Sequence, residues 1–286
     1  MIRYVIAVSG GVDSVVLLDK LAKQYEPSQL LVAHFDHGIR SESAHDSEFV
    51  RELAAGYGIA FETKREELGS DASEEFARDR RYEFLRAVAK KHGAKIMTAH
   101  HGDDIVETIA INLVRGTGWR GLAVLASSDI DRPLLGVTKP ELIDYANEHE
   151  LTWHEDATNK DTKYLRNDLR QKLENLNDDS RQLLRLYRNR QVFLRRAVDN
   201  EAIDIIGSAP YRRHLFISVP ENSGLELLRS VFVAELGYSP TRPQLRRALL
   251  AIKVLQAGKR FDVTSGVILR FTKTHYVVEP APKVVS

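Results

Sequence analysis

The chain has 286 residues, no cysteine, 43% hydrophobic residues and a formal net charge of +1. That length accommodates two domains with core enough to fold unaided, and the absence of thiols excludes disulfide frameworks, thiolate zinc sites, iron–sulfur clusters and persulfide chemistry. The first strand pattern opens within a few residues of Met1, leaving no room for a targeting peptide, and no apolar run reaches membrane-spanning length, so a cytoplasmic protein without membrane contact is expected.

An apolar strand at 4–8 runs through Ser9-Gly10-Gly11 into an amphipathic helix that continues to Tyr25. Further strand-length apolar runs at 29–35, 60–63 and 95–99 alternate with helical patterns, which predicts an α/β fold with a parallel sheet and helices on both faces. Ser43 can cap a helix that stops near Gly58; Asp71 or Ser73 can cap the next, which Gly93 terminates. Thr138-Lys139-Pro140-Glu141 is a capping box, with proline at the first helical position of a helix to about Glu148. A single long helix is predicted over 179–206. Beyond it the pattern gives a strand at 215–219, helices at 224–236 and 241–256, and short strands at 261–263, 267–271 and 275–279. The expected organisation is a catalytic domain over 1–178, a linker helix over 179–210 and a smaller, mainly helical C-terminal domain over 211–286.

The chemistry-bearing residues gather at strand ends, where ligands bind in open α/β sheets. Ser9-Gly10-Gly11-Val12-Asp13-Ser14 reads as a phosphate cradle: the glycines permit positive φ and close approach, and the unpartnered N–H groups of the following helix favour an anion. The loop lacks the Gly-Lys-Ser/Thr ending of a P-loop, so no lysine of its own reaches a phosphate, and Asp13 tolerates one only through a cation such as Mg²⁺. After the second strand comes Asp36-His37-Gly38-Ile39-Arg40, and after the strand at 95–99 comes His100-His101-Gly102-Asp103-Asp104-x-x-Glu107-Thr108. Asp104 and Glu107 share a helix face and can hold an ammonium group together, the alternative being that Asp103 or Asp104 simply caps the helix. The spacing is not that of a His-Glu-x-x-His metal helix.

Charge is segregated despite the small net value. Residues 163–196 carry ten Lys/Arg against four Asp/Glu, and residues 240–260 carry six against none, so the remainder is acidic. Such an arrangement suits a polyanion held beside an active site, although solvated helix faces give the same pattern.

The hexapeptide Ser9–Ser14 resembles the PP-loop of the ATP pyrophosphatase superfamily. The cluster His100–Thr108, followed by Arg115-Gly116-Thr117-Gly118, is similar to the second signature of the tRNA(Ile)-lysidine synthetase family. Asp36–Arg40, Ala77-Arg78 with Arg81-Tyr82, Arg132-Pro133-Leu134-Leu135, and Asp156-Ala157-Thr158-Asn159 with Tyr164, Arg166-Asn167 and Arg170 also resemble it, in order over about residues 4–170. Beyond residue 170 the resemblance is loose. It implies an adenine nucleotide alpha hydrolase-like fold and a ligase that adenylates cytidine O2 at the first anticodon position, after which free L-lysine displaces AMP to give lysidine. The implied partners are ATP with Mg²⁺ at Asp13, L-lysine and an isoleucine tRNA with a CAU anticodon; a homo-oligomer is left open. The implied nucleotide site is Ser9, Gly10, Gly11, Val12, Asp13 and Ser14, and the implied catalytic set is Asp36, His101, Asp104, Glu107 and Arg115, with His101, Asp36 or Glu107 taking the proton from the attacking amine. Rival readings are another superfamily member, such as an ammonia-dependent synthetase, and a non-catalytic nucleotide- or RNA-binding module.

Overall fold

The computed structural model describes residues 1–38, 43–69, 72–154, 169–170, 172–173 and 175–281. The cap expected from Asp71, and Ile39, Arg40, Asp156–Asn159, Tyr164, Arg166 and Asn167, lie outside the described residues, whereas Ser43, expected as a cap, is itself the first residue of its helix. The chain divides into two compact units, Met1–Val192 and Phe193–Ser286.

The first unit is a five-stranded parallel sheet in the order β3-β2-β1-β4-β5, formed by β1 (Tyr4–Ala7), β2 (Leu30–Asp36), β3 (Ala60–Arg65), β4 (Lys95–Met97) and β5 (Ile130–Asp131). β2 is buried along its whole length, which is why it reads as an unbroken apolar run. Successive residues of a strand face opposite sides, so the sheet builds two cores. Ile6, Val8, Leu30, Val32 and Met97 pack against α1 (Val12–Gln24), α2 (Ser43–Gly56) and α5 (Lys139–Glu148). Val5, Leu31, Ala33, Ile96 and Ile130 pack against Tyr82, Leu85, Val88 and Ala89 of α3 (Glu74–His92). The expected helices on both faces are present.

Helix ends follow the sequence signals closely. Ser73 accepts from the Phe76 amide at the start of α3, and Gly93, at φ +62°, closes it in the left-handed conformation. The Thr138 capping box is formed, but α5 begins at Lys139, so Pro140 stands second rather than first. α4 (Gly102–Val114) starts directly after β4, and the predicted long helix is α6 (Asp178–Ile206). Because β2 and β3 lie on one side of β1 and β4 and β5 on the other, the chain reverses direction across the sheet between β1 and β4. The loops after those two strands therefore flank a natural ligand crevice. Among the described residues no helix is long and apolar enough to cross a membrane.

The second unit holds an antiparallel sheet of β6 (Tyr211–Arg212), β7 (Arg260–Thr264), β8 (Val267–Phe271) and β9 (His275–Pro280), in the order β6-β9-β8-β7. Three helices accompany it: α7 (Arg213–Ser218), α8 (Glu221–Leu236) and α9 (Arg242–Val254). The strand expected at 215–219 is instead α7. A short apolar run fits either conformation, and here Phe216 turns fully inward against Tyr276 while Ile217 faces solvent. Buried Arg213 fastens the start of α7 to the carbonyls of Ile252, Leu255 and Thr272, satisfying orphan acceptors at the end of α9.

Candidate active site

The loop after β1 is held in shape from within. Ser14 Oγ accepts from the amides of Ser9 and Gly10, each at 3.2 Å, and donates to the Gly11 carbonyl at 2.8 Å. Gly10 has φ +94°, a conformation that excludes side chains. Gly11 does not share it. It is the N-cap of α1 at φ −75°, and a Cβ there meets nothing nearer than Ser9 Oγ at 3.7 Å. The expectation that both glycines take positive φ is thus corrected: Gly10 is required by the backbone, whereas Gly11 leaves open space in front of the helix N-terminus.

Around this opening stands a chain of alternating charges. Asp13 Oδ1 takes the Lys139 ammonium at 2.7 Å, and its Oδ2 lies 3.8 Å from His101 Nε2. Lys139 also donates its backbone amide to Asp103 Oδ2 at 2.8 Å, and Asp103 Oδ1 receives Arg181 at 2.8 Å. Gly102 N–H to the Val137 carbonyl, 2.7 Å, docks the two segments on each other. The ring therefore joins α1, α4, α5 and α6. His101 is buried between three carboxylates. Burial opposes its protonation, but Asp103, Asp104 and Asp13 outweigh that cost and raise its pKa above the ordinary value. The His101 side chain holds Asp103 well below the usual carboxylate range against the cost of burial, helped by the Lys139 amide and Arg181.

Asp104 completes the cap of α4, accepting the His101 amide at 2.9 Å, so its carboxylate is partly committed to the helix end. Glu107, almost fully buried, is held by Arg170 through two contacts of 2.6 and 3.2 Å. The shared face expected for Asp104 and Glu107 is present, with a guanidinium already at Glu107. Asp36 closes a turn by accepting from Gly38 N–H at 2.9 Å and pairs with Arg65 at 3.1 Å. Arg115 departs from expectation. It is exposed and follows the last turn of α4, about 20 Å along the helix axis from His101 at 1.5 Å per residue, so α4 carries it away from the loop.

Sequence reasoning missed Lys139, which appeared only as part of a capping box, because 126 residues separate it from Asp13. The basic stretch 163–196 is also corrected in part. Arg170 and Arg181 bind carboxylates of the site, and Arg188 is buried against the Val124 and Leu125 carbonyls, so these cations face inward rather than toward a polyanion. Among the described residues no group of three or more His, Asp or Glu is arranged to hold a metal ion.

A parallel α/β sheet with a glycine turn leading into a helix at its reversal point is the arrangement of a PP-loop type of domain. Residues 2–177 match the PP-loop domain, and the chain belongs to that family. It is 41% identical over 175 residues to a tRNA(Ile)-lysidine synthase of Exiguobacterium sibiricum, covering 59% of this chain and 42% of the relative. It is 40% identical over 180 residues to one of Thermotoga sp., covering 59% and 43%. The chain thus spans less than half the length of these curated relatives. Among solved structures, a U34-tRNA thiolase of Methanococcus maripaludis shares the fold, with a TM-score of 0.55 and 18% identity over 67% of this chain and 72% of that one.

Proposed function

We propose that the protein is a tRNA(Ile)-lysidine synthetase: it uses ATP to adenylate O2 of the first anticodon cytidine of a CAU-reading isoleucine tRNA, and free L-lysine then displaces AMP. The observation that carries this reading is the ring Asp13–Lys139–Asp103–His101 closed around the cradle, together with the identity to relatives of that name across the same segment.

In the first step cytidine O2 attacks the α-phosphorus and pyrophosphate leaves, so the protein's task is to stabilise negative charge building on the leaving group. Gly11 and Val12 present amides at the start of α1, Ser9, Gly10 and Ser14 hold the cradle in shape through the Ser14 hydroxyl, and Lys139 supplies the cation that a P-loop carries within its own loop. Asp13, partly exposed at the mouth of the cradle, is a hard oxygen ligand suited to Mg²⁺ arriving with ATP, an ion that neutralises phosphate charge.

In the second step a lysine amine forms a bond to C2, loses a proton and expels AMP with O2. Asp104 and Glu107 attract the lysine ammonium. His101 is the proton acceptor the geometry favours, since Asp36 is fixed by Arg65 and Glu107 by Arg170, whereas His101 Nε2 faces Asp13 across 3.8 Å. Incubation with ATP, labelled lysine and total tRNA tests the reading: label should enter isoleucine tRNA with one AMP per lysine. Labelling elsewhere, or ADP as product, would overturn it.

A further inference from the structure

The cradle lies on the α1 and α5 side of the sheet's carboxyl edge; the α3 side gathers three arginines, Arg78, Arg81 and Arg132, about two histidines. Arg78 and Arg81 precede Tyr82 and Leu85 of the buried α3 face by one helical turn each, so they continue that face past the end of the apolar core. Arg78 Cζ lies 5.1 Å and Arg81 Cζ 5.5 Å from the Tyr82 ring centroid, and Arg78 donates to Tyr82 Oη at 3.5 Å. Arg132 follows β5 at the same edge, fixed by the Leu125 and Ile130 carbonyls at 3.2 Å each. His37 follows β2 and packs edge-on against Phe35; His100 follows β4 and meets Thr98 Oγ1 at 2.8 Å.

Five side chains from four segments thus converge, and two of their polar atoms, His37 Nδ1 and Arg132 Nε, are buried without a hydrogen-bond partner among the described residues. Both imidazoles are neutral at physiological pH. Burial pushes His100 down to about 3 against the opposing pull of Asp104, with Arg78, Arg132 and Arg81 adding to the fall. Burial and then Arg81 lower His37. The neighbouring Arg80 takes Glu66 and Glu83 as partners, while Arg78 has no carboxylate partner among the described residues.

We propose that Arg78, Arg81 and Arg132, with His37 and His100 between them, form a seat for a backbone phosphate of single-stranded RNA adjoining the modified nucleotide. This rests on the RNA-modifying reading above. The other oxyanion at hand, the lysine carboxylate, suits the seat poorly: an α-ammonium is attached beside it, and guanidiniums repel that group. A phosphodiester carries no cation of its own.

The test binds wild type, Arg78→Gln, Arg78→Lys and Arg81→Gln to an anticodon stem-loop RNA with a CAU anticodon, in which loop phosphates are replaced one at a time by neutral methylphosphonates. Neutralising one phosphate beside the target cytidine should weaken wild-type binding about tenfold. Arg78→Gln should show that same loss on the unmodified RNA and then ignore the methylphosphonate, with a salt dependence flatter by about 0.7. Arg81→Gln should act in the same direction, Arg78→Lys should retain most affinity, and the KM for ATP and lysine should not move. Wild-type affinity in both glutamine variants, losses that add to the methylphosphonate effect, or a raised lysine KM with unchanged RNA affinity would overturn the seat. If wild type labels tRNA with lysine while the variants bind RNA normally, the seat fails and the functional reading stands. If the phosphate pattern appears without lysine transfer, the seat stands and that reading fails.

Discussion

The two sides of the sheet's carboxyl edge solve the placement of charge in opposite ways. On the α1 and α5 side opposite charges meet in pairs: Lys139 on Asp13, Arg181 on Asp103, Arg170 on Glu107. On the α3 side, guanidiniums surround neutral imidazoles and leave buried nitrogens unsatisfied. The first arrangement is internally compensated and so held in place without a ligand. The second leaves His37 Nδ1 and Arg132 Nε without partners among the described residues, and a buried donor left unpaired costs on the order of 1–3 kcal/mol.

Gly11 offers the largest contrast. Because its backbone is ordinary and a Cβ has room, Gly11→Val should melt like wild type yet lose AMP formation by about a hundredfold or more, as obstruction of the cradle removes amide donors. Thermal unfolding alongside AMP release checks this; near-normal AMP yield would detach the cradle from ATP. Lys139→Met comes next, with an expected drop in adenylation of about ten- to a hundredfold from the loss of one charge-assisted contact. If the lysine merely neutralises Asp13, Lys139→Met should leave pyrophosphate release unchanged and cost stability alone.

Asp104→Asn and Glu107→Gln should raise the lysine KM about tenfold, equivalent to about 1.4 kcal/mol, with tRNA affinity unaltered. Glu107→Gln should also lower thermal stability, because it leaves the Arg170 guanidinium half-buried without its counter-charge. A stability loss with unchanged lysine kinetics would make both residues purely structural.

The pH response separates the two sides again. The folded-state pKa of His101 is raised, so its contribution to stability is complete below the unfolded value near 6.5 and is lost as pH rises through the higher folded value. As a proton acceptor it must be neutral, so the lysine-transfer rate should climb through that same raised pKa, and the break should vanish in His101→Gln. His100 runs the other way. Its folded pKa of about 3 lies below the unfolded 6.5, so the unfolded chain binds the proton first, and stability falls as pH drops from 6.5 toward 3. Acid titration of folding in His100→Asn should show a shallower decline.

The smallest expected effect concerns α9, where Arg246 is already paired with Glu221 at 3.1 Å while Arg247 is exposed. Neutralising both should flatten the salt dependence of tRNA binding by about one unit rather than two, read from affinities across a potassium chloride series.

The sheet, its two apolar faces and most helix ends were legible in the sequence because they depend on neighbours two to four residues apart. The cradle was legible for the same reason: Ser9, Gly10 and Ser14 fix one another locally. The charge ring was not. Lys139 meets Asp13 across 126 residues and Arg170 meets Glu107 across 63, contacts that only sheet topology brings about. The basic stretch near 181 misled for a related reason, since charge counts do not distinguish an arginine that faces water from one that, like Arg188, is buried on carbonyl groups. The run at 215–219 does not reveal its helix in the sequence because five apolar-rich residues carry too little periodicity to choose a conformation.

The most direct test of the account is the stoichiometry of transfer: purified protein, ATP labelled in the α-phosphate, labelled lysine and an isoleucine tRNA transcript with a CAU anticodon. The account predicts one AMP and one lysine-bearing tRNA per turnover, none when the first anticodon cytidine is replaced by uridine, and none from Gly11→Val. AMP released without lysine entering the RNA, or lysine entering a transcript that lacks that cytidine, would contradict it.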